Sequence, residues 1–199
     1  ATAITGGVIY RTTLDGSDVR TLYQLKPEDA LSPAGGLVLA SDGLLYGTTK
    51  FGQAGQIDGA GSIFRIAAAG TGFQIIHRFA PVTAANQDLN PINTNGAYPE
   101  AELVEGADGY LYGVARAGGP NGTGTIFKIS RDGTDFKLLH SFAVVTSSST
   151  SGLTVTVDGA APTGPLVAST DNFFYGTTSQ GGANGRGVVF RIAFDGTGF

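Results

Sequence analysis

Leu45-Tyr46-Gly47-Thr48-Thr49 is written three times in this chain. It returns as Leu111-Tyr112-Gly113-Val114-Ala115 and again as Phe174-Tyr175-Gly176-Thr177-Thr178, at nearly equal intervals. Two further blocks keep the same order. Ser62-Ile63-Phe64-Arg65-Ile66 matches Thr125-Ile126-Phe127-Lys128-Ile129 and Val188-Val189-Phe190-Arg191-Ile192, with the two intervals identical. Ile75-Ile76-His77-Arg78-Phe79 matches Leu138-Leu139-His140-Ser141-Phe142 at that same interval. The N-terminus joins the frame partway. There, Val8-Ile9-Tyr10-Arg11 fits the Phe-Arg block and Thr21-Leu22-Tyr23-Gln24-Leu25 fits the His block. Three blocks in one order, with a period of about 63 residues, are an internal repeat, which decides the fold before any single element does.

Each repeat reads as four short strands. The first is Leu37-Val38-Leu39-Ala40, Leu103-Val104 or Leu166-Val167-Ala168. The second carries Tyr-Gly, the third Phe-Arg/Lys-Ile, and the fourth His-x-Phe. Branched and aromatic residues dominate all four, as pleated, buried backbone favours. Asp42-Gly43, Asp108-Gly109 and Asp171-Asn172 separate strands one and two. Asp15-Gly16, Ala69-Gly70, Asp132-Gly133 and Asp195-Gly196 separate strands three and four. Such pairs supply the positive φ of tight hairpins. A glycine loop joins strands two and three. The expected fold is therefore all-β, a β-propeller-type array of four-stranded antiparallel blades, about four repeats with the terminal ones incomplete. The repeats run over roughly 1–34 (partial), 35–97, 98–161 and 162–199 (partial), in a single domain 1–199. No long apolar period of 3.6 supports helices, and glycine at this density costs about 1 kcal/mol per helical position.

The 199 residues, 41% of them hydrophobic, suffice for one core. A net charge of −4 with 14% charged residues leaves no basic footprint for nucleic acid or an anionic membrane. No run of 18 apolar residues occurs, so no membrane insertion is expected. Cysteine is absent, which removes disulfides, thiol nucleophiles and thiolate metal sites. Glycine-, serine- and threonine-rich loops with little lysine suggest an extracellular or cell-surface protein. The start at Ala1 and the stop in mid-pattern suggest a processed or partial chain.

The blocks resemble the GloVer-type repeat, the unit of the choice-of-anchor tandem-repeat proteins. That pattern runs Tyr-Gly-Thr-Thr, Gly-Gly-x-x-Gly-x-Gly, Val/Ile-Phe-Lys/Arg-Ile, Asp-Gly-Thr, Leu-His-x-Phe. The fullest match is Tyr175-Gly176-Thr177-Thr178, Gly181-Gly182, Gly185, Gly187, Phe190-Arg191-Ile192 and Asp195-Gly196-Thr197. Val114-Ala115 departs from it, and the glycine loop around residues 55–61 is expanded. The resemblance implies a secreted or surface-exposed, propeller-like array and carries no activity to particular residues.

Candidate sites are few. His77 and His140 are the only histidines, at equivalent positions where Tyr23 stands in the first repeat. As a repeated base or metal position they would be functional; as aromatic rings with one polar end they pack. Packing is the expectation, since tyrosine serves the same place. Tyr46, Tyr112 and Tyr175 would stack on sugars or pack between blades, with packing again expected. The 181–187 loop lacks the Lys-Ser/Thr of a phosphate loop and reads as a turn. Glu100, Glu102 and Glu105 read as a solvated face, and Asp58, Asp88 and Asp158 lack calcium-loop spacing. No catalytic residue, metal ligand or cofactor is therefore expected, and no binding residue can be named. Asn121-Gly122-Thr123 is an N-glycosylation sequon, and the Ser147-Ser148-Ser149-Thr150-Ser151 run suits O-glycosylation or a flexible connection.

The first repeat offers strands three and four only, and the last offers three strands and a stub at Gly198-Phe199. Open edges are templates for strand addition. The expectation is a non-enzymatic extracellular structural protein, self-associating through its incomplete terminal blades into a surface layer or filament. The alternative is a secreted carbohydrate- or peptide-binding propeller module. It would use the long connections 80–101 and 143–164, with a glycan as partner.

Overall fold

The computed structural model describes residues 6–52, 59–85, 91–148 and 154–199. These are all strand, turn and loop, with no helix among the described residues. The first unit is a hairpin, β1 (Val8–Thr12) with β2 (Val19–Gln24). The second is a four-stranded antiparallel meander of β3 (Leu31–Leu39), β4 (Leu44–Phe51), β5 (Ser62–Ala67) and β6 (Gln74–Arg78). A small ribbon follows, β7 (Ala84–Ala85) with β8 (Pro91–Ile92). The third unit repeats the meander with β9 (Val104–Glu105), β10 (Leu111–Ala115), β11 (Thr125–Ile129) and β12 (Phe136–Ser141). A second ribbon joins β13 (Ser147–Ser148) to β14 (Thr154–Val155). The last unit holds β15 (Ala160–Pro162), β16 (Val167–Ala168), β17 (Phe173–Gln180) and β18 (Val189–Ala193).

The two complete meanders are the blades expected from the repeat. Strand one, however, is longer than its apolar run. β3 begins at Leu31 and pairs with β4 on both sides of a register shift between Ala34 and Val38. The last unit splits the same strand into β15 and β16, both paired with β17, and the third unit keeps only an Ala97–Ala117 bridge ahead of β9. The early half hides in sequence because Pro33, Gly35 and Gly36 look like a turn. As an outer edge, β3 tolerates a proline that donates nothing. A second irregularity recurs in step: the third and fourth strands shift register between Ile9 and Tyr10, Ile63 and Phe64, and Ile126 and Phe127. Equivalent bulges at equivalent residues mark a feature encoded by the repeat.

Burial follows strand position. β10 is buried along its whole length and β11 at all but Lys128, while β12 is half-buried to exposed. Central strands are covered on both faces because each blade packs between neighbours. The core accordingly forms as three seams between blades. One joins Ile9 and Leu25 to Phe64 and Ile66. The next joins Tyr46, Ile63 and Phe79 to Leu111, Phe127 and Ile129. The third joins Tyr112, Ile126 and Phe142 to Phe174, Phe190 and Ile192.

Within a blade, the glycine of Tyr-Gly is required by close approach. A Cβ on Gly47 would lie 2.5 Å from the Phe64 ring and 2.6 Å from Leu37. On Gly113 it would lie 2.7 Å from both Phe127 and Leu103, and at Gly176 it would meet Phe190 and Leu166. The phenylalanine of strand three thus folds over a bare backbone in all three copies.

Candidate functional site

The one arrangement that gathers the candidate residues is the seam itself. Its first part is the tyrosine of strand two. Tyr46 and Tyr112 are fully buried, and each hydroxyl donates to the aspartate of its own turn, Asp42 or Asp108, at 2.7 Å. Each also reaches a carbonyl of the next blade, Arg131 C=O at 3.3 Å and Phe194 C=O at 3.0 Å. Burial, with the aspartate as acceptor, raises Tyr46 to about 12 and Tyr112 further still. Burial pushes Asp42 upward, but the Tyr46 hydroxyl, the Leu44 N–H and the Arg131 charge outweigh it and leave it below its usual range. Beside the tyrosines, Arg65 and Lys128 reach the same two carbonyls at 3.5 and 3.3 Å.

The second part is an aromatic stack. Tyr23 lies on Phe73 with ring centroids 4.3 Å apart, His77 on Phe136 at 4.1 Å, and His140 on Phe199 at 3.8 Å, all within 7° of parallel. Phe73, Phe136 and Phe199 stand at the repeat's own spacing. A sequence reading that treats Phe199 as a stub misses this position, although the spacing marks it. The histidines are therefore stacking rings, as their exchange with tyrosine suggests.

Their polar ends differ. The Asn95 amide donates to His77 Nε2 at 3.3 Å, while Asn95 Oδ1 accepts from Ala80 N–H at 2.8 Å. At the equivalent point His140 Nε2 lies 2.8 Å from Asp158 Oδ2, and Asp158 Oδ1 accepts from Ala143 N–H at 2.8 Å. An amide donor makes Nε2 of His77 an acceptor, whereas a carboxylate makes Nε2 of His140 a donor. Burial holds His77 down at about 4, so it is neutral near pH 7. Among the described residues neither histidine shares a hydrogen bond with a serine or threonine hydroxyl.

The acidic residues also belong to seams. Glu105 accepts from Ser41 N–H and Oγ at 2.8 Å and from Arg131 at 3.2 Å, and Glu100 pairs with Lys50 at 2.6 Å. Glu100 and Glu105 thus tie neighbouring blades rather than form a solvated row. The described residues hold no cluster of three metal-binding side chains. Asp58, Asp88 and residues 149–151 of the serine-rich run lie outside them. In the 181–187 loop the Gly185 and Gly187 N–H groups bond back to Gly182 and Gly181 carbonyls. Asn121 is half-buried and donates to Phe142 C=O at 2.8 Å, beside a buried Thr123 bonded to the same oxygen at 2.7 Å. A glycan on Asn121 would leave one amide hydrogen for that bond.

The sequence profile of the Gloeobacter/Verrucomicrobia repeat matches residues 4–199. The chain belongs to this repeat family. No curated protein matches the sequence. Among solved structures, the chain resembles a protein of a nidogen/laminin complex, with 17% identity and a TM-score of 0.55 over 98% of this chain and 57% of that one. It also resembles a protein of unknown function from Dyadobacter fermentans, at 12% identity and TM-score 0.53, over 90% of this chain and 51% of that one. TolB from Acinetobacter baumannii aligns at 15% identity and TM-score 0.49, over 94% of this chain and 35% of that one. The Gloeobacter/Verrucomicrobia repeat chain thus spans little more than half of the first two neighbours, and what it shares with them is the β-propeller fold. No helix is long and apolar enough to cross a membrane among the described residues.

Proposed function

We propose that this propeller segment is a non-enzymatic, extracellular structural subunit that associates with further copies through its two terminal blades. The observation that carries the reading is where apolar surface lies exposed. Tyr10 is 60% exposed, whereas its equivalents Phe64 and Phe127 are buried. Val8, Leu14 and Val19 of the same hairpin are exposed, as are Val167 and Val189 of the last blade. Leu39, Leu138 and Val144 of the complete blades are exposed too, but the residues of the two end units lie on faces that repeat a buried seam, which is the mark of an interaction surface.

The two faces are the two halves of the internal seam. Tyr175 and Arg191 repeat Tyr112 and Lys128, the groups that reach across. Leu14, Gly16 and Val19 repeat Arg131, Gly133 and Phe136, the groups that receive them. A head-to-tail contact between copies would bring these halves together, and such contacts build rings or filaments. The glycine-, serine- and threonine-rich composition without cysteine suits a secreted or surface location. Size-exclusion chromatography with negative-stain imaging tests the reading. Concentration-dependent oligomers are expected, and a sharp monomer at high concentration contradicts it.

A further inference from the structure

Along the seam between the two complete blades, the second repeat departs from its copies at three alternate positions. Tyr98, Glu100 and Glu102 stand where the first complete blade has Ser32, Ala34 and Gly36 and the last has Ala161, Thr163 and Pro165. All three meet the preceding blade. The Tyr98 ring packs against the Phe51 ring, with centroids 5.6 Å apart and planes at 74°. Glu100 pairs with Lys50 at 2.6 Å, and Lys50 Nζ lies 5.4 Å from the centre of the Phe51 ring. Glu102 lies over bare backbone, since a Cβ on Gly36 would stand 2.6 Å from its Oε2. Phe51 is itself a departure, with Ala117 and Gln180 at the equivalent positions.

The scaffold does not ask for these side chains. Ser32, Tyr98 and Ala161 all hold positive φ, at 59°, 58° and 52°, and each precedes a proline. That backbone belongs to the repeat, and it carries serine or alanine as readily as tyrosine. Packing does not complete the polar groups either. Tyr23, Tyr46, Tyr110, Tyr112 and Tyr175 each donate to an aspartate. Tyr98 is half-buried, yet its hydroxyl has no hydrogen bond among the described residues. Glu102 is half-buried too, with neither hydrogen bond nor ion pair among them. Phe51 remains 38% exposed.

We infer that this row binds a neutral oligosaccharide laid along the seam. The uncommitted groups set the chemistry. An anion would meet the unpaired Glu102 carboxylate, and the one cation of the row is already held by Glu100. A cation would find an ammonium already beside Phe51. Sugar hydroxyls donate to Glu102 and exchange hydrogen bonds with Tyr98, while sugar C–H faces lie on the exposed aromatic carbon. From Tyr98 to Glu102 the chain spans at most about 13 Å. That reach exceeds one sugar ring, so the occupant is a chain rather than a monosaccharide. Binding there neither requires nor excludes association through the terminal blades.

Isothermal titration calorimetry of the full chain against maltohexaose, cellohexaose, laminarihexaose, xylohexaose and mannohexaose is the test. Saturable binding of at least one is expected. Tyr98→Phe removes only the hydroxyl and Glu102→Gln only the charge, and each should weaken that binding about tenfold, the worth of one hydrogen bond. Phe51→Gln with Tyr98→Ala imports the residues of the last repeat, so the fold accommodates the pair, and binding should be abolished. A urea unfolding curve shows that this double variant is folded. No saturable binding of any neutral hexaose at millimolar concentration overturns the inference. So does tighter binding of a glucosamine or galacturonic acid hexamer, or binding that Tyr98→Phe and Glu102→Gln leave unchanged.

Discussion

Tyr112 and Tyr175 occupy the same point of the repeat, and each hydroxyl donates to the aspartate of its own turn at 2.7 Å. Beyond that bond they part. Tyr112 is sealed under the last blade, while Tyr175 is half-buried and no described blade covers it. The repeat therefore writes the same side chain whether or not a neighbour covers it. What differs is how much stability each copy returns. In a closed seam the tyrosine is held by its own turn and by the blade beyond. Tyr175 keeps the bond to its own turn, and no described blade meets its ring, while Gly176 faces the seam with the third blade through Phe190 and Leu166.

Substitutions in and beside the seams probe that difference. Gly113→Ala places a methyl between Phe127 and Leu103 in a seam closed on both sides, and should cost about 3 kcal/mol in urea unfolding. Gly176→Ala meets Phe190 and Leu166, which are buried in the seam with the third blade, and should cost about as much although its own blade is incomplete. A much smaller cost at Gly176 would show that this seam gives way. The second probe is pH. His77 titrates at about 4 in the fold, below its ordinary value of 6.5. The unfolded chain takes its proton first, so stability present above pH 6.5 is lost as pH falls toward 4. The loss is about 3 kcal/mol. His77→Gln should flatten that part of the stability–pH curve. Asn95→Asp should do so too, by giving His77 the carboxylate partner that His140 already has.

Next, Tyr112→Phe should cost about 1.5 kcal/mol, because Asp108 loses a buried donor, while Tyr175→Phe should cost less than about 0.5 kcal/mol. The last effect is alkaline. Tyr46 is raised to about 12 from an ordinary value of 10.0, so the stability it contributes is intact below pH 10 and is lost between pH 10 and 12. Tyr46→Phe should remove this dependence in alkaline denaturation followed by circular dichroism.

The blades are legible in sequence because their signals are local and repeated. Tyr-Gly, Phe-Arg/Lys-Ile and His-x-Phe each sit in one strand, and Asp-Gly pairs mark the hairpins. The early half of β3 is not legible, because Pro33, Gly35 and Gly36 carry turn chemistry into an edge strand. The ribbons β7–β8 and β13–β14 are pairs of two-residue strands, too short to show a period. Of the seam, the tyrosines and histidines are visible as repeated residues, but their partners are not. Phe136 follows a turn in the next repeat, so its contact with His77 crosses nearly a whole repeat, a distance that no local pattern spans. Glu105 reads as solvated for the same reason, since its partners Ser41 and Arg131 belong to two different blades.

The central claim is that the first hairpin and the last blade are two halves of one interface. Leu14→Asp spoils the receiving half and Tyr175→Asp the reaching half. Sedimentation equilibrium should find each variant alone at 20.2 kDa, the mass of one chain. Mixed in equal amounts, they keep one intact half each, and the mixture should form one-to-one dimers that grow no further. A mixture that stays at the mass of one chain, or variants that each associate as the parent does, would contradict the account.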